Sequence, residues 1–398
     1  MPERLTRRTM LFLSALIAGF LVHRGAGRIL ATADDAQADQ YAIPPNTHDG
    51  WSTASLKSQK VNAELIQELL DRIDDNVYKN IHGVLLVKNG KLVLEEYFSG
   101  TNSAGQRQTF TRDTLHEMHS ATKSVNAVLI GIAIDQHQIT GVNEKISVFF
   151  PEYADIFADR QKAAICLKDL LTMSAGLSWD EWTYPYTDPR NDAAAMAASS
   201  DYFRYLLTKP IVSAPGEKFV YNSGISLLLG QIIYKATGKR ADKFAQSQLF
   251  APLGIVDYYW QKAPSGVVNT LGGLMLRPRD MAKIGQLYLN GGRWGGKQVV
   301  SNQWVIDSTK LQSGAGQLPA WVPATGYGYQ WWLGSFRLGE REVGWYGALG
   351  RGGQFIIIFP ELQLVATFTG WNDGALGEQP VDMLQRYILP AMLPRSAN

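Results

Sequence analysis

The chain has little cysteine, and its larger C-terminal part has no histidine. Cys166 is the single cysteine among 398 residues, which excludes any disulfide within the chain. Behind Ala163, Ala164 and Ile165 it reads as a core residue, not a reactive thiol. All six histidines lie at or before His137, and no Gly-x-Ser-x-Gly elbow occurs. A Ser-His-Asp hydrolase is therefore disfavoured. His116 and His119 have neither the i,i+4 spacing nor the further partner of a metal site, so no metal and no cofactor is expected. Charge of one sign is also missing. Lys and Arg number 38, Asp and Glu 36, for a net +2, without the clustered basic surface of a nucleic-acid partner. Internal repeats and low-complexity tracts are absent. Hydrophobic content of 45% and charged content of 19% describe an ordinary globular chain with room for a large core.

Long apolar runs are scarce too. The one at Met10 to Val22 covers 13 residues, short of the ~20 that span a bilayer. It follows Thr6-Arg7-Arg8-Thr9 and precedes the small residues Ala31-Thr32-Ala33. This pattern predicts a cleaved secretory signal over 1–33, of the twin-arginine kind, and an exported, periplasmic or extracellular protein with no membrane span in the mature chain. Residues 34–75 then form a polar, flexible lead, to about Asn46, and a helix from Val61 to Ile73. Residues 76–398 form the main domain.

Within that domain, His82–Lys88 and Lys91–Phe98 are β-rich runs joined by Asn89-Gly90. That pair suits a type I′ hairpin turn, which needs positive φ at both positions. Gln354–Phe359 and Leu362–Thr369 flank Pro360-Glu361 as a second hairpin, and Tyr327–Leu333 is an aromatic strand. Between these ends, from about 120 to 311, helical patterns dominate: Ser120–Ile134, Lys168–Met173, Ser200–Leu207, Ser223–Thr237 with Gly238 as a stop, Pro278–Leu289 and Asn302–Leu311. A last helix covers Gln379–Leu389. The fold class is α+β, an antiparallel sheet built from both chain ends with flanking helices and an inserted helical lobe. Asp180–Asp192, rich in Trp, Tyr, Pro and Asp, is a long loop of the sort that shapes a binding site, with Tyr184 and Tyr186 as candidates.

Three stretches carry chemistry. Ser120 and Lys123 stand three apart, on one face of a helix start. Ser120 occupies a capping position, and the residues after Lys123 are apolar nearly all round. A helix of that kind is buried, and an idle lysine there is costly. A serine hydroxyl needs a base, and a lysine whose pKa is lowered by burial can be one. A chain of this length holds about one Ser-x-x-Lys by chance, so the buried context is the stronger signal. Tyr221-Asn222-Ser223 follows a turn at Pro215-Gly216 and stands before a buried helix. Beside a lysine its phenol can relay protons; alone it is equally a core aromatic. Trp345-Tyr-Gly-Ala-Leu-Gly-Arg-Gly-Gly-Gln354 is dense in glycine before a strand, which permits close backbone approach to a ligand or a tight bend.

In order and spacing, Ser120-Ala-Thr-Lys123, Tyr221-Asn-Ser223 and the Gly-rich segment before Phe355 resemble the serine β-lactamase-related hydrolases. That family includes class C β-lactamases, D-alanyl-D-alanine peptidases, esterases and 6-aminohexanoate-dimer hydrolases. Leu170–Leu177, Pro215-Gly216 with Phe219, Leu228–Gly230, Gly272–Met281 and Gly285–Asn290 extend the likeness over roughly 81–369. The resemblance implies a β-lactamase/transpeptidase-like fold, with Ser120 as acylated nucleophile and Lys123 and Tyr221 as acid and base. Which of the two takes the first proton stays open. The chain departs from the β-lactamase pattern in ending its second motif on Ser223 instead of Asn. Its third motif is Trp345-Tyr-Gly347 or Ala348-Leu-Gly350, the latter as in the 6-aminohexanoate-dimer hydrolases. The second oxyanion donor is the N–H of Ala348 or of Arg351, with the Arg351 register preferred. Neither register supplies the family's carboxylate-gripping cation, unless Arg351 does. These departures imply an esterase or amidase acting on a small-molecule ester or amide, not an efficient β-lactamase. The competing reading is an exported penicillin- or peptidoglycan-binding protein with little or no turnover. The sequence does not specify the oligomeric state.

Overall fold

The computed structural model describes residues 41–316, 318, 322–372 and 378–393. The expected signal at 1–33 lies outside the described residues. The described chain builds one nine-stranded sheet from its two ends. From the N-terminal side come β1 (Ser52–Thr53), β2 (Ile81–Lys88) and β3 (Lys91–Tyr97). From the C-terminal side come β4 (Ser313–Gly314), β5 (Gly326–Tyr327), β6 (Trp332–Leu338), β7 (Arg341–Gly350), β8 (Gln354–Phe359) and β9 (Leu364–Gly370). Their order is β1-β3-β2-β9-β8-β7-β6-β5-β4.

All neighbours are antiparallel except β1 and β3, where two residues pair parallel at the edge. The two ends join where β2 pairs with β9, Leu85 opposite Thr367. The Asn89-Gly90 turn has φ of +52° and +74°, as the type I′ geometry demands. Strands β2, β8 and β9 are buried along nearly their whole length. They read as continuous apolar runs because helices cover them.

The helices that matter for the site are α1 (Ala63–Asp74), α2 (Thr122–Asp135), α3 (Ser223–Thr237) and α4 (Pro278–Leu289). Helix α3 begins where the Asn222 side chain accepts from Ile225 N–H and ends at Gly238, φ +70°, a start cap and a stop. In α2 every residue from Thr122 to Ala133 is buried. Helix α4 packs on β2, β8 and β9. A Cβ at Gly285 would lie 2.5 Å from Val365 Cγ1, so glycine sets that close approach.

The inserted part is not wholly helical. His116–Glu117, Leu274–Leu276 and Tyr258–Trp260 form a small three-stranded sheet beside the start of α2. Strands of two or three residues carry too short an alternation to be read from sequence. The expected strand Tyr327–Leu333 is broken by a turn in which Gly328 N–H bonds Trp331 O and Gln330 has φ +61°.

The expected flexible lead is docked from Tyr41 onward. The Tyr41 hydroxyl bonds the backbone of Glu95, donating to its carbonyl at 3.0 Å and accepting from its N–H at 2.9 Å. Arg279 of α4, 2% exposed, donates to Pro45 O at 2.8 Å and pairs with Asp49 at 3.0 Å and Glu95 at 2.6 Å. One buried guanidinium thus clamps the lead to β3. Cys166 is half-buried and free. His116 is buried against Phe110, with His82 beyond it. No cluster of metal-binding side chains occurs among the described residues, and no helix among them is long and apolar enough to cross a membrane.

Candidate active site

Ser120 stands in a 3₁₀ turn, His119–Ala121, immediately before α2. The capping expectation for its side chain is not met. Neither this turn nor α2 has a side-chain cap. The Ser120 hydroxyl oxygen instead accepts from Lys123 Nζ at 2.9 Å and from the Tyr221 hydroxyl at 2.9 Å. Three residues separated by up to 101 positions therefore meet at one oxygen. Lys123 also donates to Leu271 O at 2.7 Å, and its amine lies 5.2 Å from the centre of the Tyr221 ring.

Buried polar ties hold this group. Asn126 of α2 and Thr270 both donate to Ser226 O of α3, at 3.1 and 2.8 Å. Gln330, at its positive φ, accepts from Ser124 and Ser226 and donates to Leu170 O and Leu171 O. The Leu170–Leu177 stretch carries the tyrosine segment through Val220 N–H to Met173 O, 2.8 Å, and Gly216 N–H to Ser174 O, 2.7 Å. Buried polar ties of this kind hold the segments in one arrangement.

Burial pushes the Lys123 amine down to about 8, while the negative charge of Glu181 opposes that fall. Burial, and then Glu181, push the Tyr221 phenol above its ordinary value. At neutral pH Tyr221 is a neutral phenol, and Lys123 is the group nearest to losing a proton.

Two cavities meet at Ser120, Tyr186 and Arg351. One, of about 480 Å³, is aromatic, with Trp182, Tyr184, Tyr221 and Trp332 in its wall. The other, of about 360 Å³, is more polar, with Glu117, His119, Gln261 and Asn269. Trp182 and Trp332 both pack on the Tyr221 ring, centroids 4.9 and 5.8 Å away.

The loop 180–192 is closed on itself at its base. Asp180 and Asp192 exchange bonds of 2.9 and 2.7 Å, and Asn191 donates to Glu181 O and Tyr184 O. It does shape the site, as its aromatics suggested, and both Tyr184 and Tyr186 line the cavity.

The Gly-rich segment reaches Ser120 by its later part. A Cβ on Gly350 would lie 2.1 Å from Met118 O and 3.2 Å from Ala121 N, so the end of β7 abuts the Ser120 turn. Arg351 follows at the junction of the two cavities, with its guanidinium 6.0 Å from the Tyr186 ring centre and 5.6 Å from that of Trp371.

Trp345 lies elsewhere, buried and stacked on Phe336 at 5.7 Å. Ala348 is fully buried opposite Ile356. Neither lines the cavities at Ser120; both lie within β7 where it pairs with β6 and β8, in the buried part of the sheet. Of the two registers, the one ending at Gly350 abuts the turn.

Ser223 borders the polar cavity, but its hydroxyl donates to Glu181 Oε1 and its N–H to Glu181 Oε2, the latter at 2.8 Å. Sequence reasoning missed Glu181, Trp182 and Trp332. Glu181 sits inside an aromatic loop, where an acid reads as solvent-facing. A buried carboxylate carries no local signal.

Proteins of known sequence and structure resemble the chain over most of its length. A 6-aminohexanoate-dimer hydrolase of Paenarthrobacter ureafaciens is 24% identical over 331 residues, 79% of each chain. A family VIII carboxylesterase superposes with a TM-score of 0.61 at 16% identity, covering 82% of this chain and 97% of that one. An octameric penicillin-binding protein homologue from Pyrococcus abyssi superposes with a TM-score of 0.59 at 19% identity, covering 84% and 78%. At such identities the superpositions show a shared β-lactamase/transpeptidase-like fold. The Beta-lactamase family model matches residues 64–373, from α1 to the end of the sheet, and the chain belongs to that family of serine hydrolases.

Proposed function

We propose that the chain hydrolyses ester or amide bonds through an acyl-enzyme on Ser120, with esters and simple amides preferred to β-lactams. The observation that carries this reading is the double hydrogen bond to Ser120 Oγ from Lys123 and Tyr221. In the reaction, neutral Lys123 takes the Ser120 proton as the oxygen attacks the carbonyl. The N–H groups of Ser120 and Arg351 receive the developing oxyanion. Tyr221, kept protonated by its surroundings, gives its proton to the departing oxygen or nitrogen and regains one from Lys123. Water then cleaves the acyl-enzyme by the same groups in reverse.

Tyr221 lines the aromatic cavity and not the polar one. The leaving group is therefore assigned to the aromatic side and the acyl group to the polar side. Against strong β-lactamase action stands the state of Ser223. Its side chain is committed to Glu181, so it does not offer the amide contact that the Asn of the β-lactamase motif supplies.

The test is hydrolysis of short-chain aryl esters, linear amides and a chromogenic cephalosporin by one preparation, with fluorophosphonate labelling. Ser120→Ala is expected to abolish ester cleavage and labelling. Lys123→Ala is expected to cost nearly as much, since groups acting as a unit fail together. Unlabelled wild-type protein that cleaves no ester would instead support a non-turnover penicillin- or peptidoglycan-binding role.

A further inference from the structure

Glu181 is 2% exposed and has no part in the steps above. Four donors converge on its carboxylate. Oε2 accepts from Trp179 Nε1 and from Ser223 N–H, each at 2.8 Å. Oε1 accepts from the Tyr186 hydroxyl at 2.8 Å and from the Ser223 hydroxyl. Each carboxylate oxygen thus accepts from two donors, which fixes the orientation of the group.

Its donors come from both sides of the site. Trp179 and Tyr186 belong to the loop, and Ser223 opens α3 two residues after Tyr221. Asn191 holds the Glu181 carbonyl from beneath at 3.2 Å. The next residue, Trp182, lies on the Tyr221 ring. The carboxylate is thus the rivet between the aromatic loop and the segment that carries Tyr221.

We infer that Glu181 is a positioning residue for the Ser120–Lys123–Tyr221 group: its four-bonded carboxylate ties the aromatic loop to the segment that carries Tyr221, holds Tyr221 against Ser120 and brings a negative charge to the site. The inference rests on the function proposed above. It also explains the serine at the end of Tyr221-Asn222-Ser223. A serine hydroxyl is short enough to share one carboxylate oxygen with Tyr186 while its own N–H reaches the other.

The groups around Lys123 are few. Ser120 Oγ and Leu271 O accept its bonds, the Tyr221 ring lies beside it, and Glu181 is the charge acting on it. Around Glu181, Tyr186 intervenes toward Arg351. Removing the Glu181 charge therefore leaves burial to act on Lys123 without opposition, and the amine gives up its proton at lower pH.

Two variants separate charge from cage. In Glu181→Gln the amide oxygen can accept from Trp179 Nε1–H and Ser223 N–H. The amide NH₂ can donate to the two hydroxyls, which accept as readily as they donate. The cage survives and the charge goes. In Glu181→Leu both go, and two buried N–H groups lose their acceptors.

The experiment is the pH profile of kcat/KM on an aryl ester for wild type, Glu181→Gln and Glu181→Leu, with Ser120→Ala as control. A parallel ¹³C NMR titration follows the Lys123 side chain, assigned by its absence in Lys123→Met. For Glu181→Gln the acid limb and the Lys123 titration are expected to move together to lower pH, by roughly one pH unit for a fixed charge near a buried amine, with KM little changed. For Glu181→Leu kcat is expected to fall by about tenfold or more, because Tyr221 is no longer held in register.

A Glu181→Gln profile and Lys123 titration both superimposable on wild type would overturn the inference, whether or not Glu181→Leu folds. If the wild type is as inactive as Ser120→Ala, the proposed function fails. The NMR titration then still decides whether Glu181 acts on Lys123.

Discussion

Lys123 is 2% exposed, and its amine is pushed from the ordinary 10.5 down to about 8, chiefly by burial. A fall of that size corresponds to about 3 kcal/mol at 1.36 kcal/mol per pH unit. This is the stability the fold gives up at neutral pH to keep a charged amine beside Ser120. The sign follows from proton counting. Between pH 8 and 10.5 the unfolded chain binds the lysine proton and the folded chain does not, so stability rises with pH across that window. Below about 8 both states are protonated and the penalty is present in full.

Lys123→Met removes the titration. It also removes the bonds to Leu271 O and Ser120 Oγ, but that loss is the same at every pH. The difference in unfolding free energy between wild type and Lys123→Met should therefore change by between about 2 and 3 kcal/mol from pH 7 to pH 10, in favour of wild type at the alkaline end. Urea unfolding of both proteins at four pH values measures it, with the slopes checked for constancy. The same group should set the rise of wild-type kcat/KM with pH near 8. A difference between the two proteins that stays constant over the range would refute the argument that a buried amine bonded only to neutral oxygens costs the fold this much.

Two further substitutions test how the site is held. Gly350→Ala places a methyl 2.1 Å from Met118 O; the end of β7 must move off the Ser120 turn, at a cost of about 1–3 kcal/mol in stability and on the order of 10- to 100-fold in kcat/KM. Esterase activity within about twofold of wild type would show that the contact does not position Ser120. Arg279→Met strands Asp49 and leaves Glu95 with Arg112 and Tyr97; urea unfolding should show a loss of about 3 kcal/mol, and limited proteolysis should cut within residues 41–51 before the rest of the chain. A loss below about 1 kcal/mol would mean that packing, not the ion pair, holds the lead.

The hairpin at Asn89-Gly90, the bounds of α3 and α4 and the two-ended sheet were legible in the sequence. Each rests on a local rule: positive-φ turn residues, a capping Asn222 and a stopping Gly238, a proline at the first position of α4, and apolar runs of strand length. The Ser120–Lys123 pair was legible for the same reason, since a spacing of three on a buried helix is a statement about neighbours in the chain. The joining of Tyr221 to them was legible by resemblance alone.

Only the tertiary structure decided what depends on distant partners. The hydroxyl of Ser120 has a capping residue's position but bonds Tyr221 and Lys123 instead. The third motif contacts the turn through Gly350 and not through Trp345, because the pairing of β7 with β6 and β8 keeps Trp345 and Ala348 within the buried sheet and brings only the strand's end to the turn. Glu181 and Arg279 are charges that their own surroundings in sequence would leave in water. Arg279 is buried because Pro45, Thr47, Asp49 and Glu95, all remote in sequence, pair with it, and Glu181 because the remote Ser223 joins Trp179 and Tyr186 of its own loop around the carboxylate. Burial of a charge is a property of the assembled partners, which no local pattern encodes. The residues that hold this site together therefore became visible only in the fold.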